Sequence, residues 1–214
     1  MSTGNSVDIR QNIITTAEDH FIRYGFKRVT MDDIAREMSI SKKTIYQFFK
    51  DKNEIVCAAT EEHLRREEEQ MDRLEQESEN VIEFLVKCTK MIRQHVATVN
   101  PSAIMELQKY FPDGWQIFLN YKKKVFLNSL MRSLIRGQED GYFRPDFNPE
   151  ILAMLRMEEV QLCFDNRVFP RNRFDITEVQ VQVFRHFIEG LMTAKGRELL
   201  EEYKKNLSPH ETIF

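Results

Sequence analysis

Glycine and proline are scarce in this chain, seven and six among 214 residues. So few breakers leave long uninterrupted segments. With abundant Glu, Lys, Arg, Leu and Met, this argues for helices over a turn-rich β architecture. Cysteine is rarer still: Cys57, Cys88 and Cys163 are odd in number and far apart, which excludes a disulfide framework and the close ligand spacing of a zinc site. They are expected to be packed thiols. No apolar run is long enough to cross a bilayer, and the opening "MSTGNSVD" has neither the basic start nor the apolar stretch of a signal peptide. A cytoplasmic protein without membrane contact is expected. Also missing are GxSxG, a glycine-rich phosphate loop, an HExxH or ExxH pair and a paired Cys and His motif. The five histidines, His20, His63, His95, His186 and His210, are therefore read as structural. No enzyme activity, metal or cofactor is expected.

What is present is ordinary globular composition, 42% hydrophobic and 30% charged, with a net charge of −3. That sum hides a local imbalance. Between Lys27 and Lys52 seven basic residues face four acidic ones, a local excess of three that leaves the remainder of the chain at minus six. One DNA-facing end on an acidic body accounts for such a distribution.

Apolar spacing of three or four residues recurs along the chain. Ile13, Ile14, Ala17, Phe21 and Tyr24 make one helical stripe, which Gly25 ends as a residue free to adopt positive φ. Thr30 caps a second helix, with Asp33 placed for a reciprocal capping contact, and Ile34, Ala35 and Met38 form its buried edge. Ser41 repeats the cap for a third, in which Ile45, Phe48 and Phe49 share one side. Asp51 and Glu54 open a long charged helix. Further helices are expected over Val81–Val99, from Trp115 to about Asp140, over Glu150–Asn166 and over Ile176–Ala194, with breaks at Asn100-Pro101, Phe111-Pro112 and Gly141. The fold is expected to be all-α with about nine helices.

The stretch "TMDDIAREMSISKKTIYQFF", Thr30 to Phe49, places two short helices either side of a tight turn, the helix-turn-helix arrangement. Its second helix carries Lys43 and Gln47 pointing away from the buried side, flanked by Thr44 and Tyr46. Lys can donate to guanine and Gln can pair with adenine in the major groove, while Thr and Tyr suit phosphate or a thymine methyl.

From Ile13 to Ile55, "IITTAEDHFIRYGFKRVTMDDIAREMSISKKTIYQFFKDKNEI" resembles the N-terminal module of the TetR family of bacterial transcriptional regulators. The match rests on Ala17, Phe21, Gly25, Thr30, Asp33 to Ala35, Ser41-Lys42, Thr44-Ile45-Tyr46, Phe49 and the closing "KDKNEI". Three positions depart from the family pattern. Ser39 and Lys43 stand where glycine is usual, so the turn needs a non-glycine residue in the left-handed region, and Phe48 replaces a Tyr or His. The resemblance implies phosphate contacts for Thr30, Tyr46 and Lys52, and a DNA face made with Ser41, Lys42, Lys43, Thr44, Gln47 and Lys50. It implies a DNA-binding domain at residues 1–52 and a helical effector-binding and dimerisation domain at 53–214.

In that family the central helices line a cavity for a small, largely apolar effector. The matching candidates are Phe84, Cys88, Met91 and His95 on one helical edge, with Met105, Tyr110, Trp115, Phe118 and Tyr121 after Pro101. The final two helices are the candidate homodimer surface. Ile176, Val179, Val183, Phe187 and Leu191 form one stripe and Val181, Phe184 and Ile188 another, joined by Ile151, Met154, Leu155, Val160 and Leu162. Burial within one subunit would satisfy the same pattern. The expected function is a ligand-responsive repressor binding a near-palindromic double-stranded DNA operator as a homodimer. A DNA-binding adaptor that works through a protein partner, without an effector, would share every N-terminal feature.

Overall fold

Capping chemistry sets the helix boundaries. A computed structural model of the protein describes residues 3–96, 100 and 102–205, without the side chains of residues 3–7, 95 and 96. Its helices are α1 (Thr3–Tyr24), α2 (Met31–Glu37), α3 (Lys42–Tyr46), α4 (Lys52–Gln76), α5 (Val81–Val96), α6 (Ala103–Tyr110) and α7 (Pro112–Tyr121). A π-helical turn at Lys122–Phe126 follows, then α8 (Leu127–Glu139), α9 (Pro149–Cys163), α10 (Ile176–Leu191) and α11 (Ala194–Lys205). Among the described residues there is no strand, only an isolated bridge between Phe143 and Met192. No described helix is long and apolar enough to cross a membrane.

The expected turns form for the expected reasons. Gly25 has φ 86° and Gly141 φ 73°. At the end of α8 the Gly141 N–H reaches the Gln138 carbonyl and the Tyr142 N–H that of Gly137, closing the helix with a left-handed cap. The number of helices exceeds the expected nine, and the differences have local causes. α6 occupies the segment between the two proline breaks. α7 starts at Pro112 because a first-turn proline loses no helical hydrogen bond. α10 stops at Leu191, short of the expected Ala194, because the Leu191 carbonyl accepts from Arg144 N at 2.8 Å and Thr193 N donates to the Tyr142 carbonyl at 2.9 Å. Thr193 Oγ1 then accepts from Gly196 N and caps α11.

The chain divides into two compact units that no single cut separates: Met1–Glu67 with Thr98–Tyr121, and Glu68–Ala97 with Lys122–Phe214. The core of the first is built on Ile13, Ala17, Phe21, Ile34, Ile45, Phe49, Ile55 and Val56. Ala103 and Leu107 of α6 are buried in it, and Phe111, Trp115 and Phe118 pack against it. This apolar return explains why the unit extends beyond the module expected at residues 1–52. The second core holds Val81, Ile82, Leu85 and Cys88 of α5, Leu134 of α8, Phe143, and Phe184, Ile188 and Leu191 of α10.

Two glycines give opposite expectations. A Cβ at Gly196 would lie 2.4 Å from the Tyr142 carbonyl oxygen, a backbone atom that cannot swing aside, whereas a Cβ at Gly190 meets nothing within 4 Å. Gly196→Ala should destabilise by about 1 to 3 kcal/mol through overpacking. Gly190→Ala, in a helix, should stabilise by about 0.5 to 1 kcal/mol. Chemical denaturation of both variants checks the pair, and equal effects would refute it.

Candidate nucleic-acid interface

The candidate interface grows from two caps and one turn. Thr30 Oγ1 accepts from Asp33 N at 3.2 Å while Asp33 Oδ2 accepts from Thr30 N at 2.9 Å, so each satisfies the other's free backbone donor. The Thr30 hydroxyl, which donates to Asp33 Oδ2 at 2.6 Å, and then the Thr30 N–H hold the Asp33 carboxyl below the ordinary range. At the other end of α2, Ser39 takes φ 54°, the left-handed conformation the missing glycine demands. Ser39 N reaches Arg36 O at 3.1 Å and Ile40 N reaches Ala35 O at 3.0 Å, so the turn is a Schellman cap made with serine. Ser41 Oγ then accepts from Thr44 N at 3.1 Å and starts α3.

α3 is held from below. Ile45 and Phe49 are fully buried in the first core, and the Arg10 guanidinium lies 5.0 Å from the Phe49 ring centre. Helical hydrogen bonding continues past Tyr46, since Phe49 N still reaches Ile45 O at 3.0 Å. With that side inward, Lys43, Tyr46 and Gln47 are left on the surface, Tyr46 at 48% exposure. Lys42 turns back to α2, where its ammonium donates to Asp32 Oδ2 at 2.7 Å, and this bond raises its pKa. Thr30, Ser41 and Lys50 are exposed, and Thr44 is half-buried.

Lys52 sits differently from the other cations. Its ammonium donates to the Lys27 carbonyl at 3.4 Å and lies 5.4 Å from the Phe111 ring centre and 5.9 Å from that of Phe21. Burial pulls its pKa down against the opposing pull of Glu106 and Asp33. Lys27 N in the loop after α1 donates to Glu106 Oε2 of α6 at 2.8 Å, and Asn100 N, ahead of α6, donates to Ile22 O of α1 at 2.6 Å.

Sequence reasoning missed a charged knot between α1 and α4. The nearly buried Glu18 carboxylate pairs with Arg66 and meets His63 Nδ1 at 3.0 Å, while His63 Nε2 lies 3.4 Å from Glu67 Oε1. No local signal announces it, because Glu18 and His63 are 45 residues apart.

The candidate pocket residues divide between the units. Phe84 and Cys88 are buried in the second core, with Met91 half-buried on the same helix. Met105 and Tyr110 are exposed on α6, and Trp115 and Phe118 stack with ring centres 5.1 Å apart against the first core, with Tyr121 half-buried at the end of α7. The His95 side chain and His210 lie outside the described residues. Among the described residues no group of three His, Cys, Asp or Glu is placed to hold a metal ion.

A capped helix, a left-handed turn and a second helix with Lys43, Tyr46 and Gln47 exposed make a helix-turn-helix. The bacterial regulatory proteins of the tetR family match residues 13–59. The uncharacterized HTH-type transcriptional regulator YvaF of Bacillus subtilis (strain 168) is 22% identical over 163 residues, 76% of this chain and 85% of that protein. Among solved structures, a TetR-family transcriptional regulator from Agrobacterium tumefaciens has a TM-score of 0.73 at 18% identity, over 88% of this chain and all of that one. A putative transcriptional regulator from Saccharomonospora viridis in complex with choline has a TM-score of 0.72 at 18% identity, over 87% of this chain and 99% of that one. Residues 13–59 thus match the tetR-family regulatory module, and the fold of the chain is that of tetR-family regulators.

The knot at Glu18 has a pH signature. Burial works against a charged His63, but its bonds to Glu18 and Glu67 outweigh it and carry its pKa from the ordinary 6.5 to about 10. The folded value lies above the unfolded one, so this group's stabilisation is complete below pH 6.5 and drains away as the pH rises through about 10. Thermal unfolding of the wild type should therefore lose stability across that window faster than His63→Gln does. Parallel pH profiles would show that the pairing contributes nothing.

Proposed function

We propose that the protein is a repressor that binds a near-palindromic operator as a homodimer in the cytoplasm and is released by a small effector bound in its helical body. The observation that carries the DNA half is the α3 surface: Lys43, Tyr46 and Gln47 stand exposed on a helix whose opposite side, Ile45 and Phe49, is locked in the core. Lys43 and Gln47 are the base readers in this proposal, with Thr30, Ser41, Thr44, Tyr46 and Lys50 toward phosphates. Lys42 and Lys52, each already bonded within the unit, reinforce the field and hold the module together.

A second copy is the proposed partner of α9. Ile151, Met154, Leu155 and Leu162 are between 46% and 62% exposed and recur at helical spacing, an apolar face that water does not favour. Most apolar positions of α10, by contrast, are already buried within one chain, so α9 supplies the greater share of the subunit contact. A two-fold pair would set two α3 helices in successive major grooves, roughly 34 Å apart. The α4 helix, continuous across the division between the units, is the proposed mechanical link. An effector that binds two conformations unequally by ~1 to 3 kcal/mol changes operator affinity by roughly 5- to 150-fold. The choline-bound neighbour supports ligand responsiveness in this fold without naming the ligand here.

Selection of bound duplexes from a random pool, with sizing of the complex, tests the reading. An inverted repeat bound by dimers is expected. Lys43→Ala or Gln47→Ala should each cost about 1 to 3 kcal/mol and relax the preference at one base position. Unchanged discrimination in both variants would remove them as base readers. Separately, Leu155→Glu should yield folded monomers with weakened operator binding, and a variant that remains dimeric by light scattering would move the subunit contact elsewhere.

A further inference from the structure

The core of the second unit contains a charge that neither the DNA face nor the subunit contact uses. Arg156 lies on the inner side of α9, 3% exposed. Its guanidinium sits 4.8 Å from the Phe184 ring centre and 5.8 Å from that of Phe187, both on α10. A guanidinium carries five N–H donors. Among the described residues one contact uses them: Nη1 reaches Glu159 Oε2, less than one turn away on the same helix, at 3.4 Å. That is long beside the roughly 2.7 to 2.9 Å of a well-made charged bond.

Two thiols share the neighbourhood, since Cys88 of α5 and Cys163 at the end of α9 both feel the guanidinium charge. Neither neutralises it. Burial pushes Cys88 up to about 12 and Cys163 up to about 11, so both remain S–H at neutral pH. A buried cation with most of its donors unspent is costly in an apolar core unless something pairs with it.

We propose that Arg156 anchors an effector site in the second unit, taking the carboxylate of an apolar acid on its unspent N–H edge while the tail lies among the apolar side chains of α5 and α10. The inference rests on the ligand-responsive reading above and names its ligand class. Three features favour it. The planar guanidinium matches a carboxylate through two parallel bonds. The Phe184 and Phe187 rings lie against the guanidinium and restrain it, so little freedom is lost on pairing. At 3% exposure the side chain meets little water, which leaves the attraction weakly screened. A doubly charged phosphate group is the poorer fit, because its second charge would also have to be desolvated here. Cys88, already a candidate from the sequence, lies within range of the anchor's charge.

The test uses the full-length protein with sodium decanoate and its uncharged counterpart decanol, and hexanoate and tetradecanoate to bracket tail length. Binding is read by calorimetric titration and by the rise in unfolding temperature with probe concentration. The wild type should prefer a carboxylate over the matching alcohol by roughly tenfold or more. Arg156→Met, similar in length and apolar, should lose that preference while keeping operator binding, and Arg156→Lys, charged but without the fork, should fall between. A purely structural Arg156 would move the unfolding temperature and leave the difference between acid and alcohol untouched. Equal affinity for acid and alcohol, no carboxylate binding at all, or a preference that survives in Arg156→Met overturns the proposal. If Arg156→Met does not fold, the wild-type comparison and Arg156→Lys decide it. Ligand-responsive regulation is read separately, by release of the selected operator in a compound screen. A compound that frees DNA from wild type and Arg156→Met alike keeps the regulation and removes this site. Decanoate binding through Arg156 with no operator release keeps the site and removes the regulation.

Discussion

A helix of five residues has no stability of its own in water, so the whole DNA face depends on burying Ile45 and Phe49. Their side chains seat α3 beside α2 in the core shared with α1 and α4, and only with that side fixed do Lys43, Tyr46 and Gln47 acquire a common direction. The caps at Thr30 and Ser41 and the left-handed Ser39 bring α3 to the position where that burial is available. Serine at the turn costs more than glycine would, and the two Schellman hydrogen bonds and the packing of Ile40 offset it.

The same logic of one helix serving two surroundings recurs in α9. Its outward side carries Ile151, Met154, Leu155 and Leu162, while its inward side buries Ala153, Met157, Cys163 and Arg156. Charge placement separates the two units in character. In the first, the buried carboxylate Glu18 is met by two cationic side chains and joins α1 to α4. In the second, the buried cation Arg156 has one long carboxylate contact and aromatic rings beside it. A met charge stiffens a module, whereas an under-met one marks a place where chemistry can enter.

Much of the fold was legible from residue order, because helix periodicity, hydroxyl caps and left-handed stops act within a few residues of one another. Thr30 with Asp33, Ser41, Gly25, Gly141 and the strained turn at Ser39 were all readable in this way. α6 and α11 were missed since their signals are short and weak: α6 has no side-chain cap, and the Thr193 cap of α11 lies inside a segment read as continuous helix.

By itself, then, the sequence determined the all-α class, the helix-turn-helix and the side of α3 that faces outward, since each follows from local sterics and a 3.6-residue period. Only the tertiary structure decided that α6 and α7 return to the N-terminal core, that Lys42 and Lys52 are engaged within their own unit, and that Glu18 meets His63. It also decided that Arg156, in sequence one charge among many on an amphipathic helix, is a buried cation. These depend on groups far apart in the chain, and no local pattern encodes which distant side chain will share a desolvated space.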